Sequence, residues 1–237
     1  METSPPVIFE KRDGVAWLTL NRPTAYNAIN LEARDELWVL LEVIALDDEI
    51  GVVIFKGAGD RAFSSGADLT DFGTSASYIE ARRARRERDV WDRLAFFKKP
   101  LIAAVHGYAL GAGCELSLSC DFRIASEDAQ FGLPEVSLGY LPSAGGTQTA
   151  PRLLGLGRGL DLILTGTAVS AQRAYEWGLV HQVEPRDQLY PAAEALARRL
   201  LAQPEAALRA TKAAVLQGLD LSLSQGLELE AAIRLRL

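Results

Sequence analysis

The chain has 237 residues, enough for one large domain or two small ones, and 49% of them are apolar, which supports a sizeable core. A formal net charge of -6 argues against a nucleic-acid partner. No apolar run approaches the roughly 18 residues of a membrane span. The opening METSPPVIFEKRDG lacks both the basic start and the apolar stretch of a secretion signal, so the expected setting is cytoplasmic.

In chain order, VAWLTLNRP (15–23) reads as a buried strand ending at a turn. NLEARDELWVLLEVIALDD (30–48) reads as an amphipathic helix capped by Asn30, with Leu37, Leu40, Leu41 and Ile44 on one face. GVVIFKGAG (51–59) is a short apolar strand ending in glycine, and a charged helix is predicted over 75–98. LIAAVHG (101–107) is a further strand, followed by the small-residue segment ALGAGCELSLSCD (109–121). Strands alternating with helices argue for an α/β architecture with parallel pairing. After about Gly157 the strand signals fade, which predicts an α/β core over 1–156 and a helical C-terminal region over 157–237. Cys114 and Cys120 fall in one helical pattern and read as packed thiols of a reducing compartment.

Two strand-to-helix turns share a design: AFSSGADL (62–69) and HGYALGAGCEL (106–116). A helix start leaves backbone N–H groups without partners, and small residues let another molecule approach them. Two such groups aimed at one point make an oxyanion hole, although each turn taken singly is equally an ordinary tight connection. Glu115 follows the second turn, and Glu135 lies in the mostly apolar QFGLPEVSLGYLPSAGGTQ (130–148). Taken singly each is equally a capping or paired structural glutamate, yet two carboxyls in apolar company are raw material for acid–base work.

These stretches, with VAWLTLNRPTAYNAI, KPLIAAVHGYALGAGCELSLSCDFRIAS and AYEWGLVHQV, resemble the crotonase superfamily, also called the enoyl-CoA hydratase/isomerase family, over nearly the whole chain. The resemblance implies a crotonase-like spiral of ββα units with a C-terminal helical layer. It implies oxyanion N–H groups at Ala67 and at Ala112, where glycine is commoner, with Asp68 and Leu69 lining the substrate. The family's hydratases carry both glutamates, so the implied reaction is hydration of a 2-enoyl-CoA, with Glu135 as proton donor to the α-carbon and Glu115 activating the water. No metal or separate cofactor is expected, because CoA enters as part of an acyl-CoA thioester. A trimer or dimer of trimers is implied, with the helical last third as contact layer. Relatives run on past LELEAAIRLRL into a further helical tail, so this C-terminal region is expected to be shortened.

An isomerase moving a Δ3 double bond to Δ2, or a hydratase of cyclic or branched acyl-CoAs, keeps the fold and changes the reaction. A non-catalytic RNA-binding role would rest on the run ARRARRERDVWDR (81–93), through Arg82, Arg83, Arg85 and Arg86. The same run reads as a solvated helix face pairing with Glu87, Asp89 and Asp92, or as a positive field for CoA phosphates. His106 and His181 lack metal-like partners and read as structural, as does Asp121; Ser143 lacks the first glycine of a nucleophile elbow.

Overall fold

The computed structural model describes residues 4–71 and 88–237. Its strands in chain order are β1 (Val7–Arg12), β2 (Val15–Leu20), β3 (Val52–Gly57), β4 (Ala62–Ser64), β5 (Leu101–Val105), β6 (Tyr108–Leu110), β7 (Phe122–Ser126), β8 (Gln130–Gly132), β9 (Val169–Ser170) and β10 (Gln182–Glu184). One sheet runs β1-β2-β3-β5-β7-β10 and a smaller one β4-β6-β8-β9. In the large sheet only β1 is antiparallel to its neighbour. Three strands of the large sheet are each followed by a short strand of the small one: β3 by β4, β5 by β6, and β7 by β8. This repeated step is the β–β part of the expected spiral.

The uninterrupted apolar runs of the central strands follow from burial on both faces. Ala16, Leu18, Leu20, Val53 and Phe55 join one core, while Val15, Trp17, Val52 and Ile54 join another on the opposite face. The first face is covered by α1 (Leu31–Leu46), through Ala33, Leu37, Leu41 and Ile44. Leu40 is only partly buried and packs at its edge. Asn30 caps α1 by accepting the Ala33 N–H at 2.9 Å. At the other end, the buried Lys99 ammonium donates to the carbonyls of Ile44 and Asp47 at 2.6 and 2.7 Å, beside the Asp47 and Ile50 N–H groups that these carbonyls also accept.

Of the predicted charged helix over 75–98, residues 75–87 lie outside the described residues; the described part is α2 (Val90–Ala95), capped by Asp89. Further helices are α3 (Ala112–Leu118), α4 (Gly146–Leu154), α5 (Leu156–Thr165), α6 (Ala171–Trp177), α7 (Leu189–Leu201), α8 (Glu205–Gly218) and α9 (Leu223–Arg234). The stretch 157–237 is mostly helical, but it also returns two strands, β9 to the small sheet and β10 to the large one. They escape the sequence pattern because two or three residues are too short to show a period. The α7 helix covers the second face of the large sheet through Leu189, Ala193 and Ala197. Among the described residues no helix is long and apolar enough to cross a membrane.

Leu37 is fully buried between α1 and the large sheet. Leu37→Ala is therefore expected to cost about 2–5 kcal/mol, read as a lowered urea midpoint, and a change within error would show that this face is loosely packed.

Candidate active site

The second glycine-rich turn connects β6 to α3. Gly111 stands at the helix N-cap with φ 50°, a left-handed conformation that suits glycine. Its N–H donates to Gly132 O at 2.9 Å, which pins the turn to β8. The first helical bond runs from Glu115 N–H to Gly111 O at 2.9 Å, and the Ala112 N–H, one turn earlier, has no helical carbonyl to meet. All seven residues of α3 are buried. Its far end is held by the buried Arg123, whose guanidinium donates to the carbonyls of Ser117 (3.0 Å), Cys120 and Leu179 (2.6 Å).

The first turn follows β4, which pairs in parallel with β6. Ser64 Oγ donates to Asn27 O at 2.8 Å and accepts the Gly66 N–H at 3.2 Å. Ile29 N–H donates to Gly66 O at 2.8 Å, and Asp68 N–H to Ile29 O at 3.1 Å. These two bonds make Ile29 and Ala67 a parallel bridge. In such a bridge Ile29 uses the groups flanking Ala67, so the Ala67 N–H points away from it. A Cβ on Gly111 would stand 3.9 Å from Gly66 Cα, so the two turns abut.

Glu135 meets this junction, and Glu115 stands one turn further along α3. The same Cβ on Gly111 would stand 2.9 Å from Glu135 Oε1, so any side chain there would strike the carboxylate. Glu135 sits in a 3₁₀ turn, Pro134–Leu138, and is buried. Its Oε2 is buried with no protein hydrogen-bond partner among the described residues. Glu115, in the first turn of α3, is 2% exposed. Its Oε1 accepts the N–H groups of Ala144 and Gly146, both at 2.8 Å. Gly146 is required there, since a Cβ would lie 2.9 Å from that oxygen.

Burial raises the Glu115 carboxyl from its ordinary 4.5 to about 7; the two N–H donors oppose this and the Glu135 charge adds to it. Burial likewise raises Glu135. Burial, then the charges of both glutamates, raise the Tyr140 phenol. Ala144, Gly146 and Tyr140 were not singled out from the sequence. The glycine pair in PSAGGTQ was the available signal, but only the fold shows that it faces α3.

The remaining candidates occupy other roles. Asp68 Oδ1 accepts the N–H and hydroxyl of Thr70 at 3.0 and 2.7 Å, and Oδ2 pairs with Arg22 at 2.7 Å. The Thr70 hydroxyl and Arg22 hold its carboxyl below the usual range. Leu69 begins a 3₁₀ turn and is exposed. His106 is fully buried beside the Tyr190 hydroxyl, and burial pushes it down to about 4. His181 Nδ1 accepts the Arg123 N–H at 3.2 Å. Asp121 accepts the Leu101 N–H and pairs with Lys212, both at 2.7 Å. Cys114 and Cys120 are free and buried, and Ser143 is exposed. Among the described residues no cluster of His, Cys, Asp and Glu is suited to a metal ion. Arg82, Arg83, Arg85, Arg86 and Glu87 lie outside the described residues. Of the rest of that run, Asp89 caps α2, Arg93 pairs with Glu42, and Arg88 faces Asp35 at 3.8 Å.

A carboxyl whose pKa is raised in the folded state keeps its proton while the unfolded chain loses one. Its stabilising contribution is whole below 4.5 and is lost as pH rises to about 7. Glu115→Gln carries no such proton. The variant should therefore gain on the parent by about 3 kcal/mol across that interval, with no further change above it. Urea unfolding of both proteins at a series of pH values measures this, and parallel curves would contradict the raised carboxyl.

The family model described as enoyl-CoA hydratase/isomerase matches residues 10–235. The chain is 38% identical over 226 residues to the crotonyl-CoA hydratase of Syntrophomonas wolfei, covering 95% of this chain and 86% of that protein. It is 42% identical over 224 residues to the 2,3-dehydroadipyl-CoA hydratase of Escherichia coli, covering 94% and 87%. The solved structure of an enoyl-CoA hydratase from Bacillus anthracis superposes with a TM-score of 0.91 at 38% identity, over 97% of this chain and 89% of that one. With the paired turns, the two buried glutamates and the spiral of strands all in place, the chain is a member of the enoyl-CoA hydratase/isomerase family.

Proposed function

We propose that the protein is an enoyl-CoA hydratase, adding water reversibly across the 2,3 double bond of a trans-2-enoyl-CoA to give a 3-hydroxyacyl-CoA. The observation that carries this reading is the pair of buried carboxyls, Glu135 against the Gly111 turn and Glu115 in the first turn of the helix that follows it. The names of the relatives, hydratases of crotonyl-CoA and of 2,3-dehydroadipyl-CoA, support it.

The roles are those that the family resemblance implies, and the surroundings of each group support them. The N–H groups of Ala67 and Ala112 bind the thioester oxygen and stabilise the enolate that develops as water adds; one such donor is worth about 3–4 kcal/mol. Glu115, anchored by Ala144 and Gly146 and titrating near neutrality, takes a proton from water as its oxygen bonds to C3. Glu135, whose Oε2 has no protein partner, gives a proton to C2. One proton has then passed from Glu135 to product and one from water to Glu115, and the pair redistributes it before the next turnover. Asp68 and Leu69 contribute the backbone that lines the substrate. Addition of water changes no oxidation balance, so CoA enters only as part of the substrate and no separate cofactor is required. An isomerase, by family resemblance, works with the carboxylate at position 135 alone. The anchoring of Glu115 favours hydration.

The free buried cysteines fit a reducing compartment, the cytoplasm in this reading. Self-association as a trimer or dimer of trimers is part of the proposal. Helices α8 and α9 bury no residue within the chain, and Leu219 and Leu223 are 69% and 80% exposed. Such a surface is costly in water unless another copy covers it.

Crotonyl-CoA hydration by the purified protein, followed by loss of the enoyl absorbance, tests the activity. Glu115→Gln and Glu135→Gln should each slow turnover by roughly 10²–10⁴-fold; wild-type rates in both would overturn the two-carboxyl mechanism. Light scattering should give the mass of three or six chains, and Leu223→Asp should lower it. A monomeric parent would refute the assembly.

A further inference from the structure

The Ala67 turn is held from outside by one guanidinium. Arg22 Nη1 donates to Ala28 O at 2.8 Å and pairs with Asp68 Oδ2 at 2.7 Å. Ala28 precedes Ile29, the bridge partner of Ala67, and Asp68 directly follows Ala67. A single nitrogen therefore ties together the neighbours of both bridge residues. Neither end is free to drift. Asp68 Oδ1 is occupied by the N–H and hydroxyl of Thr70. The Arg22 N–H bonds Asn27 Oδ1 at 3.0 Å, and Asn27 Nδ2 in turn holds Ala58 O and Ala62 O at 2.9 and 2.7 Å. The Arg22 and Asp68 side chains are 26% and 12% exposed, so water competes weakly for the pair.

We propose that Arg22 and Asp68 are a positioning pair that aims the Ala67 N–H at the thioester oxygen. The proposal rests on the hydratase reading above. A donor that tightens its bond only as charge develops contributes to the transition state more than to substrate binding. A displacement of the order of an ångström in such a donor costs up to about 10²-fold in rate. Releasing the pair should therefore lower kcat and leave KM nearly unchanged.

Arg22→Met, Arg22→Lys, Asp68→Asn and the Arg22→Met/Asp68→Asn double variant are compared with the parent in the full chain. The readouts are crotonyl-CoA kinetics, thermal unfolding, and the absorbance of a bound aromatic 2-enoyl-CoA thioester. That band moves to longer wavelength when the carbonyl is polarised. The parent should show the shift. Arg22→Met and Asp68→Asn should lose most of it, with kcat down roughly tenfold to a hundredfold and KM within about twofold. The double variant should be no worse than the weaker single one, since both break one contact. Lysine keeps the charge without the planar fork and should restore part of the loss. If Arg22→Met does not fold, Asp68→Asn and Arg22→Lys carry the comparison. Variants that keep the parent's spectral shift, whatever their rates, overturn the positioning role. A parent that neither hydrates nor shifts the band overturns the hydratase reading itself, and this proposal with it.

Discussion

One carboxylate oxygen between two backbone amides holds this site together. Glu115 Oε1 accepts from Ala144 and Gly146 and so joins the start of α3 to the loop that leads into α4. That loop follows directly from the turn that carries Glu135. The contact therefore brings the second carboxyl over the same junction without a direct bond between the two glutamates. It also explains the poise of Glu115. Burial alone would leave it a neutral acid, and two amide donors alone would leave it a permanent anion. The two effects oppose each other and leave the group near neutrality, where a carboxyl can both take and return a proton.

The rest of the fold supplies this junction with a stiff support. Three large-sheet strands each hand the chain to a short strand of the small sheet, and the Ala67 and Ala112 turns follow two adjacent short strands, β4 and β6. Their separation is then set by the spacing of hydrogen-bonded strands rather than by flexible loops. Beneath them the large sheet is clamped between α1 and α7. Two cations buried in this scaffold, Lys99 and Arg123, meet backbone partners. Lys99 closes the end of α1, and Arg123 closes the end of α3.

The site also carries a cost. A buried carboxyl with an unpartnered oxygen, as at Glu135, gains nothing for stability and is retained where chemistry uses it. Asn27 shows a related compromise. Its positive φ of 55° is an uncommon backbone state, yet its side chain and carbonyl tie β3, β4 and the Ser64 hydroxyl into one frame. Local strain and lost solvation are offset by a rigid surround.

The sequence by itself determined the local pieces. The apolar runs at 15–20, 52–57 and 101–105 marked the central strands because both faces of those strands are buried. The Asn30 cap and the Leu37, Leu41 and Ile44 spacing marked α1. The two small-residue turns and the two glutamates stood out because glycine and buried charge are each costly without a reason. The short strands β4, β6, β8 and β9 were not legible, since two or three residues carry no period. The Arg22–Asp68 tie was equally hidden: its ends are 46 positions apart in the chain, and each residue alone reads as a surface charge. Only the tertiary structure decided that the turns abut, that Glu135 faces Gly111, and that Ala144 and Gly146 hold Glu115. Those relations depend on sheet register and loop path, and such long-range distances are properties of the packed whole rather than of any one segment.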